Sequence, residues 1–452
     1  MPVLGNERVW EADTLGEPIG TPAGVAAPAR VGWNAWALPL TLVVLALALI
    51  LPRLDAPDEY VFDELYYAFT AGKYVAGSAN AYRCCRPPRE TTAIEWTHPP
   101  LAKLLIAGGI LGFGDNPVGW RVASVCFGVL GVVVTFLLGK TLSGSQAVGA
   151  LAALLLLCDG LFFVESRTGM SNLFLLVFTN AALLACARVL TMPLARASTP
   201  LLATGTFLGL AIATKWSAVA LLGLVGVAYG WRIMREWRAT RFVPVQAIAR
   251  GVAALVAVPA AIYLLSYSHF FLTGHRWEAF LALHASMLEY HRELGIVHAY
   301  SSSWWEWPLA ARPVWYYASP RGEEGAFVFA NGNPLLYWPM VLAVAWVAID
   351  WWGRRPAALT ILAIGFFGQW LPWALSPRGT FIYHFLPAVP LGCIALGILL
   401  SGAWEAGGWR RGAAGAYLLA VVAVFVFFYP LYTAMPLSPD QVAARMWFGS
   451  WR

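Results

Sequence analysis

The chain has 452 residues, of which 59% are hydrophobic and only 12% are charged, and its mean hydropathy is +0.64. Soluble domains carry roughly 25% charged residues, so this composition excludes a string of soluble domains and predicts one membrane domain. The net charge of +6 is modest, and no basic run is mixed with polar sequence, which argues against nucleic acid as a partner.

In chain order, residues 1–32 come first and are polar and rich in Pro and Gly, which predicts a disordered cytoplasmic tail without a cleavable signal peptide. Residues 33–452 are predicted to form an all-α polytopic membrane domain, because about eleven stretches are long and apolar enough to cross a bilayer. The predicted spans cover residues 35–52, 118–139, 146–163, 171–190, 201–214, 216–231, 250–268, 334–351, 358–375, 382–402 and 412–433.

Positive charge predicts the orientation, because cytoplasmic loops carry an excess of Lys and Arg. With a cytoplasmic N-terminus, every inner loop is basic, and the cluster from Arg232 to Arg241 also falls inside. The C-terminus and two long loops, at about 53–117 and 269–333, then lie outside. Both loops contain amphipathic stretches, so we expect surface helices in them.

The first outer loop contains the adjacent carboxylates Asp63 and Glu64, flanked by Phe62, Tyr66 and Tyr67. Acids at a membrane surface are unfavourable unless they are solvated, paired or used in chemistry. A solvated acidic rim is the simplest interpretation. Neighbouring residues on a helix point in different directions, so the functional alternative gives one acid the role of general base and the other an orienting role. A divalent cation could bind near paired acids, but no dense ligand set requires one.

Eleven further side chains fall on the same outer side of the predicted topology, which favours one extracytoplasmic active site near the membrane surface. Each also has a structural alternative: a snorkelling Lys, an interfacial Arg anchor or an interfacial aromatic belt. Basic residues suit a lipid-linked phosphate, and tryptophans suit sugar rings or an extended peptide. The eleven are His98, Lys103, Arg121, Glu165, Arg167, Lys215, Trp304, Trp305, Glu306, Arg378 and His384.

The motifs around these residues resemble, in their order, those of the protein O-mannosyltransferases. They are FDE at 62–64, HPPLAK at 98–103, ESR at 165–167, TKWS at 214–217, SWWEWP at 303–308, RPVWYY at 312–317 and YHFLP at 383–387. The resemblance implies a GT-C glycosyltransferase fold. It also implies inverting transfer of mannose from polyprenyl-phosphate mannose to Ser or Thr hydroxyls of proteins, with Asp63 as the catalytic base and Glu64 in support.

The chemistry of a lipid-linked phosphate donor and of a peptide or sugar acceptor divides the candidates into two groups of binding residues. Arg121 is the first choice for the donor phosphate, and the other donor-binding candidates are His98, Lys103, Lys215, Arg378 and His384. The acceptor candidates are Trp304, Trp305, Glu306, Glu165 and Arg167.

Two features depart from the family pattern. The loop at 269–333 is too short for the β-trefoil MIR domain of eukaryotic members, and Asn172 stands where an acid is expected.

Two other functions stay open at this point. A related GT-C enzyme would glycosylate a lipid or a cell-wall glycan from the same class of donor. A lipid transporter or flippase ranks lower, because it predicts charges near mid-membrane and repeated halves. The expected partners of the mannosyltransferase are the polyprenyl-phosphate mannose donor, membrane lipids and a secreted or membrane protein acceptor, with the translocation machinery as a further candidate. No cofactor is firmly implied.

Overall fold

The computed structural model describes residues 34–84, 93–293, 298–321 and 324–452. The tail predicted at 1–32 lies outside the described residues. Every candidate site residue lies within the compact unit Pro39–Arg452.

Helices dominate the described residues, as the composition predicts. The α-helices are α1 (Asn34–Ile50), α2 (Glu64–Val75), α3 (Leu101–Phe113), α4 (Pro117–Ser143), α5 (Gln146–Leu157), α6 (Gly160–Glu165), α7 (Asn172–Thr191), α8 (Ser198–Thr214), α9 (Ala218–Thr240), α10 (Val245–Val252), α11 (Val258–Ser266), α12 (Ser268–Leu272), α13 (Trp277–Glu293), α14 (Pro334–Trp351), α15 (Pro356–Trp370), α16 (Val389–Glu405), α17 (Gly408–Tyr432) and α18 (Pro439–Ala443).

Eight helical segments are long and apolar enough to cross a membrane, and each coincides with a predicted span. They are Pro117–Ser143, Asn172–Thr191, Ala218–Thr240, Val245–Ser266, Pro334–Trp351, Pro356–Leu375, Ile382–Glu405 and Gly408–Tyr432. The other three predicted spans are found as the shorter apolar helices α1, α5 and α8. The prediction of a multi-pass helical membrane protein is therefore confirmed.

The predicted span at 146–163 is broken rather than continuous. Helix α5 ends at Leu157, and α6 begins at Gly160 after Asp159 accepts a 3.0 Å hydrogen bond from the backbone N–H of Phe162. A Cβ atom at Gly160 would lie 2.2 Å from the Tyr432 hydroxyl oxygen, so the break requires glycine at this position. The short helix α6 then carries Glu165 toward the polar residues of the first loop.

The centre of the fold is formed by α7 and α16, which are buried along most of their length. Helix α7 packs against α4, α8 and α15, and α16 packs against α5, α14 and α17. Small residues permit close helix approach: a Cβ atom at Gly205 of α8 would lie 1.7 Å from the Ala254 carbonyl oxygen. These packed helices form a rigid base for the outer loops.

The second long loop contains a β-hairpin that was not predicted, and it adds a small strand content to the mostly helical fold. Strand β1 (Val314–Arg321) pairs antiparallel with β2 (Glu324–Ala330), with a bulge between Trp315 and Tyr317. The aromatic and β-branched composition of both strands favours this conformation. A bulge redirects the side chain at its position, and Tyr316 is buried toward the helices.

The two outer loops also contain the expected surface helices. Helices α2 and α3 lie in the first loop and pack against each other, while α12 and α13 lie in the second. Residues of all four helices join one cluster of buried hydrophobic side chains. Both loops are thereby folded onto the same face of the helical core.

Candidate active site

Asp63 lies between the first loop and α2, at the N-cap position of the helix. Its side chain does not cap the helix, and no hydrogen bond to its carboxylate is found among the described residues. Phe62 has φ +45°, a conformation that is uncommon for a non-glycine residue and is often found at functional sites. The Phe62 ring stacks on Tyr316 with centroids 4.6 Å apart, and this contact holds the loop conformation that presents Asp63.

The surroundings of Asp63 suit a general base. Burial raises the pKa of this carboxyl from 3.8 to about 6, while the Lys215 ammonium opposes the shift and Glu95 adds to it. A base works best when its pKa lies near the working pH, because it is then both ionised and able to bind a proton. Asp63 therefore combines an unpaired carboxylate with an appropriate pKa.

Arg121 does not face a cavity but is buried beneath the first loop. Its five N–H groups donate to both carboxylate oxygens of Glu64, at 2.9 Å each, and to the carbonyl oxygens of Leu54, Pro57 and Glu59 at 2.8–3.0 Å. A guanidinium has only five N–H donors, so none is left for a ligand. This geometry corrects the assignment of Arg121 as the phosphate ligand: the side chain fixes the loop that carries Asp63.

Glu64, the ion-pair partner of Arg121, is fully buried. Besides Arg121, it accepts hydrogen bonds from the backbone N–H groups of Gly169, at 2.7 Å, and Val61, at 3.0 Å. The supporting role expected for Glu64 thus has a concrete form. It joins the first loop, α4 and the α6–α7 connection through one carboxylate, while Asp63 next to it stays unpaired.

Arg167 is also buried away from the predicted acceptor surface. Its guanidinium donates to the carbonyl oxygens of Ile50, at 3.4 Å, and Arg53, at 2.6 Å, and lies over the Phe163 ring. Burial lowers the pKa of the guanidinium to about 10. The assignment of Arg167 as an acceptor-binding residue is therefore corrected. Its guanidinium instead binds carbonyl oxygens at and just after the C-terminal end of α1.

Glu95 and His98 accept all three hydrogen bonds that the Lys103 ammonium can donate. Its ammonium donates to the Glu95 carbonyl oxygen at 2.8 Å, to Glu95 Oε2 at 2.5 Å and to the His98 carbonyl oxygen at 2.8 Å. An ammonium has three donors, so Lys103 has none left for a phosphate, which corrects that assignment. Sequence reasoning missed Glu95, although its position three residues before His98 was an available signal.

A second polar group connects Lys215, Asn172, Glu165 and Tyr316. Lys215 Nζ donates to Asn172 Oδ1 at 2.9 Å, and Asn172 Nδ2 donates to Glu165 Oε1 at 3.0 Å. The Tyr316 hydroxyl donates to the same Glu165 oxygen at 2.7 Å, and Glu165 Oε2 is buried without a partner in the described residues. Glu165 therefore lies inside the site rather than on an acceptor surface, and Tyr316 is a contributor that sequence reasoning missed.

Burial acts on both charged members of this group. It raises the pKa of Glu165 to about 7, although the hydrogen bonds from Tyr316 and Asn172 oppose the shift. It lowers the pKa of Lys215 to about 8, and the neighbouring Arg378 lowers it further. Because Asn172 is a neutral amide, its hydrogen bond with Lys215 supplies no opposite charge, whereas the family pattern has an acid near this position.

Next to this group lies a cavity of about 320 Å³, which we call the cationic cavity. Its walls include Lys215, Arg378, His98 and His291, and none of its lining residues is acidic. No hydrogen bond or ion pair to the Arg378 side chain is found in the part of the chain that the structure describes. Two cations with donors available for a ligand therefore face the same space.

His384 lies beside the cationic cavity rather than in its lining. It faces a smaller adjoining space of about 20 Å³ that shares Lys215 and Trp373 with the larger one. Its ring packs against Trp373 with centroids 4.0 Å apart, and Nδ1 accepts a 3.1 Å hydrogen bond from the Phe381 N–H. Of the six predicted donor ligands, Lys215, Arg378 and His98 line the cationic cavity.

An open groove of about 430 Å³, the aromatic groove, continues from the cationic cavity. It is lined by the predicted acceptor residues Trp304, Trp305 and Glu306, and shares Trp373, Ser376 and Arg378 with the cavity. Trp305 is 55% exposed. Glu306 caps its own short helix by accepting from the Ser303 N–H at 2.6 Å, and it pairs with Arg312. Arg378 therefore lies where the cationic cavity and the aromatic groove meet.

Within the described ranges, no group of three His, Cys, Asp or Glu side chains is arranged to hold a metal ion.

The fold defines the class of protein. The structure resembles a Saccharomyces cerevisiae protein O-mannosyltransferase Pmt1-Pmt2 complex bound to the sugar donor, with a TM-score of 0.80, 15% identity and coverage of 94% of this chain and 93% of that one. It also resembles ArnT from Cupriavidus metallidurans bound to undecaprenyl phosphate, with a TM-score of 0.54, 18% identity and coverage of 89% and 71%. The chain has the GT-C glycosyltransferase fold that the motifs implied.

The family follows from the sequence comparisons. The family model described as dolichyl-phosphate-mannose-protein mannosyltransferase matches residues 40–277, and that of the C-terminal four TMM region of protein-O-mannosyltransferase matches residues 276–451. The chain therefore belongs to the protein O-mannosyltransferase family.

Two curated relatives carry the name polyprenol-phosphate-mannose–protein mannosyltransferase. The one from Corynebacterium glutamicum is 28% identical over 94% of this chain and 96% of its own length. The one from Mycobacterium tuberculosis H37Rv is 27% identical over 93% and 92%. The resemblance inferred from the motifs is thereby confirmed.

Proposed function

We propose that this protein is an inverting glycosyltransferase that moves mannose from polyprenyl-phosphate mannose to Ser or Thr hydroxyls of proteins. Membership of the family and the names of the full-length relatives support the donor and the type of acceptor. The observation that carries the proposal is that the Asp63 carboxyl, which has no hydrogen-bond partner among the described residues, lies within electrostatic range of Lys215, a cation that lines the cationic cavity together with Arg378.

Asp63 activates the acceptor. A Ser or Thr hydroxyl is a weak nucleophile until a base takes its proton. As the hydroxyl oxygen forms a bond to the anomeric carbon, Asp63 accepts its proton, and the bond from that carbon to the phosphate oxygen breaks. Attack from the face opposite the phosphate inverts the configuration at the sugar carbon.

Lys215 and Arg378 stabilise the leaving polyprenyl phosphate. Charge develops on this group as it departs, and preplaced cations in a site shielded from water are effective at stabilising it. Lys215 is well suited because only one hydrogen bond, to Asn172, is found for its ammonium among the described residues. A phosphate leaves without a proton, so no second carboxylic acid is needed, in contrast to glycoside hydrolysis.

The aromatic groove receives the acceptor polypeptide. Trp304 and Trp305 supply flat surfaces for an extended chain, and Arg378 links the groove to the leaving phosphate. Glu306 lies in the groove wall and, with Arg312, supplies polar contacts. A hydroxyl presented from this groove reaches the donor from the side of the cavity open to solvent.

The proposed location is the outer face of the cell membrane, with the N-terminus in the cytoplasm. The basic inner loops of the predicted topology support this orientation. An acceptor in this location is a secreted or membrane protein, and the translocation machinery that delivers it is a proposed partner. The donor and the surrounding membrane lipids share the bilayer with the enzyme.

The test uses membranes that contain the enzyme and a polyprenyl phosphate carrying labelled mannose. Label is expected in protein, and Asp63→Asn is expected to reduce transfer by roughly 10²- to 10⁴-fold, the usual contribution of a general base, while donor binding is retained. Asp58→Asn is the matched control, because Asp58 is an exposed acid in the same loop. Label that enters lipid instead indicates the alternative acceptor class, and full activity of Asp63→Asn removes Asp63 as the base.

A further inference from the structure

His98 has an unusual environment that the mechanism above does not use. Its ring lines the cationic cavity, yet its Nε2 has no hydrogen-bond partner among the described residues. Its Nδ1 lies 3.0 Å from Glu95 Oε1, and the ring is mostly buried, with 14% of the side chain exposed. Nδ1 is therefore held by Glu95, and Nε2 is a buried polar atom without a partner among the described residues, which calls for an explanation.

Glu95 determines which nitrogen carries the proton. Its carboxylate accepts from the backbone N–H groups of Thr97 and His98, from the Thr97 hydroxyl and from Lys103. A carboxylate surrounded by donors and paired with an ammonium is ionised, so it can only accept. The proton of neutral His98 must then be on Nδ1, where it donates to Glu95 Oε1, and Nε2 keeps a lone pair.

Burial keeps the His98 ring neutral. It lowers the pKa of His98 to about 3, although Glu95 opposes this shift. Lys215 and His291, which line the same cavity, lower this pKa further. At neutral pH, Nε2 is therefore an acceptor and has no hydrogen to donate.

An acceptor of this kind fits a hydroxyl group and does not fit a phosphate oxygen. A phosphodiester is itself an acceptor, so its oxygens and the His98 lone pair would repel each other. The cations Lys215 and Arg378 supply the complement for phosphate in the same cavity. A hexose carries several hydroxyl donors next to that phosphate, and His98 is left to bind one of them.

We propose that His98 Nε2 accepts a hydrogen bond from one hydroxyl of the transferred hexose, and that Glu95, held by Lys103, is the positioning residue for this contact. The inference rests on the proposed donor, a polyprenyl-phosphate hexose. It assigns His98 to the sugar rather than to the phosphate. It also gives Lys103, which cannot reach the donor, a role in orienting the carboxylate that orients the ring.

The experiment compares polyprenyl-phosphate mannose with four analogues, each lacking one sugar hydroxyl other than the anomeric position. Wild-type enzyme is expected to use one analogue roughly 5- to 100-fold less efficiently in kcat/KM, because a buried acceptor is then left unsatisfied. His98→Phe keeps an aromatic ring but has no acceptor, so the preference for that hydroxyl is expected to disappear. His275→Phe is the matched control, because His275 lies outside the cavity and is expected to keep the preference.

Glu95→Gln tests the positioning role, and it also tests the inference about His98 if His98→Phe does not fold. The carbonyl of the new amide is expected to face Lys103, so its NH₂ group faces His98 Nδ1 and drives the proton to Nε2. The preference is then lost, and Glu95→Asp is expected to restore part of it. A purely structural role would lower turnover with all five donors by the same factor.

The possible outcomes distinguish a failure of the proposed function from a failure of the inference about His98. No transfer of label from any donor by wild-type enzyme would contradict the proposed function itself. Transfer by wild-type enzyme with no preference for any hydroxyl, or with a preference that His98→Phe retains, would overturn the inference about His98 and leave the proposed function intact.

Discussion

The sharpest prediction concerns Arg121, because its sequence context and its structure give it different roles. Arg121→Ala removes five donors at once and leaves the buried carboxylate of Glu64 with only two backbone N–H partners. Removing one partner of a buried ion pair costs about 3–5 kcal/mol, because the remaining charge stays uncompensated in a region of low dielectric constant. The first loop then loses the contacts that hold Asp63.

The expected shift in melting temperature follows from the length of the chain. With an unfolding entropy of about 2.1 cal/mol/K per residue, 452 residues give a change of about 1 °C for each kcal/mol. Arg121→Ala is therefore expected to lower the melting temperature by about 3–5 °C. Activity is expected to fall as well, because Asp63 is displaced.

The assay is thermal unfolding of the purified protein in detergent, together with a donor-binding measurement below the transition. Arg188→Ala is the control, because Arg188 is an exposed Arg in the last turn of α7 and a surface change of this kind typically alters stability by no more than about 0.5 kcal/mol. Glu64→Gln is expected to lower the melting temperature as well. An unchanged melting temperature for Arg121→Ala, combined with a loss of donor affinity, would refute the bracing role and restore the phosphate role.

Three further predictions concern the donor, the pH dependence and the acceptor. Lys215→Met is expected to weaken donor binding by roughly 10- to 150-fold through the loss of a charge-assisted hydrogen bond, and unchanged donor affinity would exclude the phosphate contact. The kcat/KM profile is expected to be bell-shaped: it falls as pH drops through about 6, where Asp63 becomes protonated, and as pH rises through about 8, where Lys215 loses its proton. In Asp63→Asn, any residual rate should lack the acidic limb, and persistence of that limb would assign it to another group. Trp305→Ala is expected to raise KM for a peptide acceptor roughly 2- to 10-fold without changing donor binding. Trp409→Ala, in the first turn of α17, serves as the unaffected control.

The membrane spans could be predicted because their signal is local. A run of about 20 apolar residues is sufficient to indicate a span, whatever the rest of the chain does. The break at Asp159 was missed for the opposite reason. It depends on Asn333, whose backbone N–H donates to Asp159 Oδ1, and on Tyr432, which packs against Gly160. Both partners are far away in the sequence.

The hairpin was missed because hydropathy alone guided the prediction in the second loop. Its aromatic residues have the composition of an interfacial belt and equally that of a strand. Only pairing between Val314–Arg321 and Glu324–Ala330 distinguishes the two. The consequence for the site is large, because the bulge in this hairpin directs Tyr316 onto Glu165 and Phe62.

The charged residues of the outer loops show the same limit of sequence reasoning. Sequence reasoning placed them on one side of the membrane, but it gave similar donor-binding roles to Arg121, Lys103 and Lys215. Hydrogen-bond partners separate them: Arg121 is occupied by Glu64, and Lys103 is occupied by Glu95, an acid that the motifs did not include. Such pairs form across the fold, so no local pattern reveals them.

Knowing which charged residues form ion pairs therefore identifies the site better than knowing which residues are charged. Two buried ion pairs, Glu64 with Arg121 and Glu95 with Lys103, fix the shape of the first loop: the first joins the loop to α4, and the second lies within it. In the proposed mechanism, Asp63 and Lys215, for which no ion pair is found among the described residues, act on different substrates. Asp63 takes the proton of the acceptor hydroxyl, and Lys215 stabilises the charge on the donor phosphate. A neutral amide at Asn172 preserves this arrangement, because a carboxylate there would pair with Lys215 before the donor could.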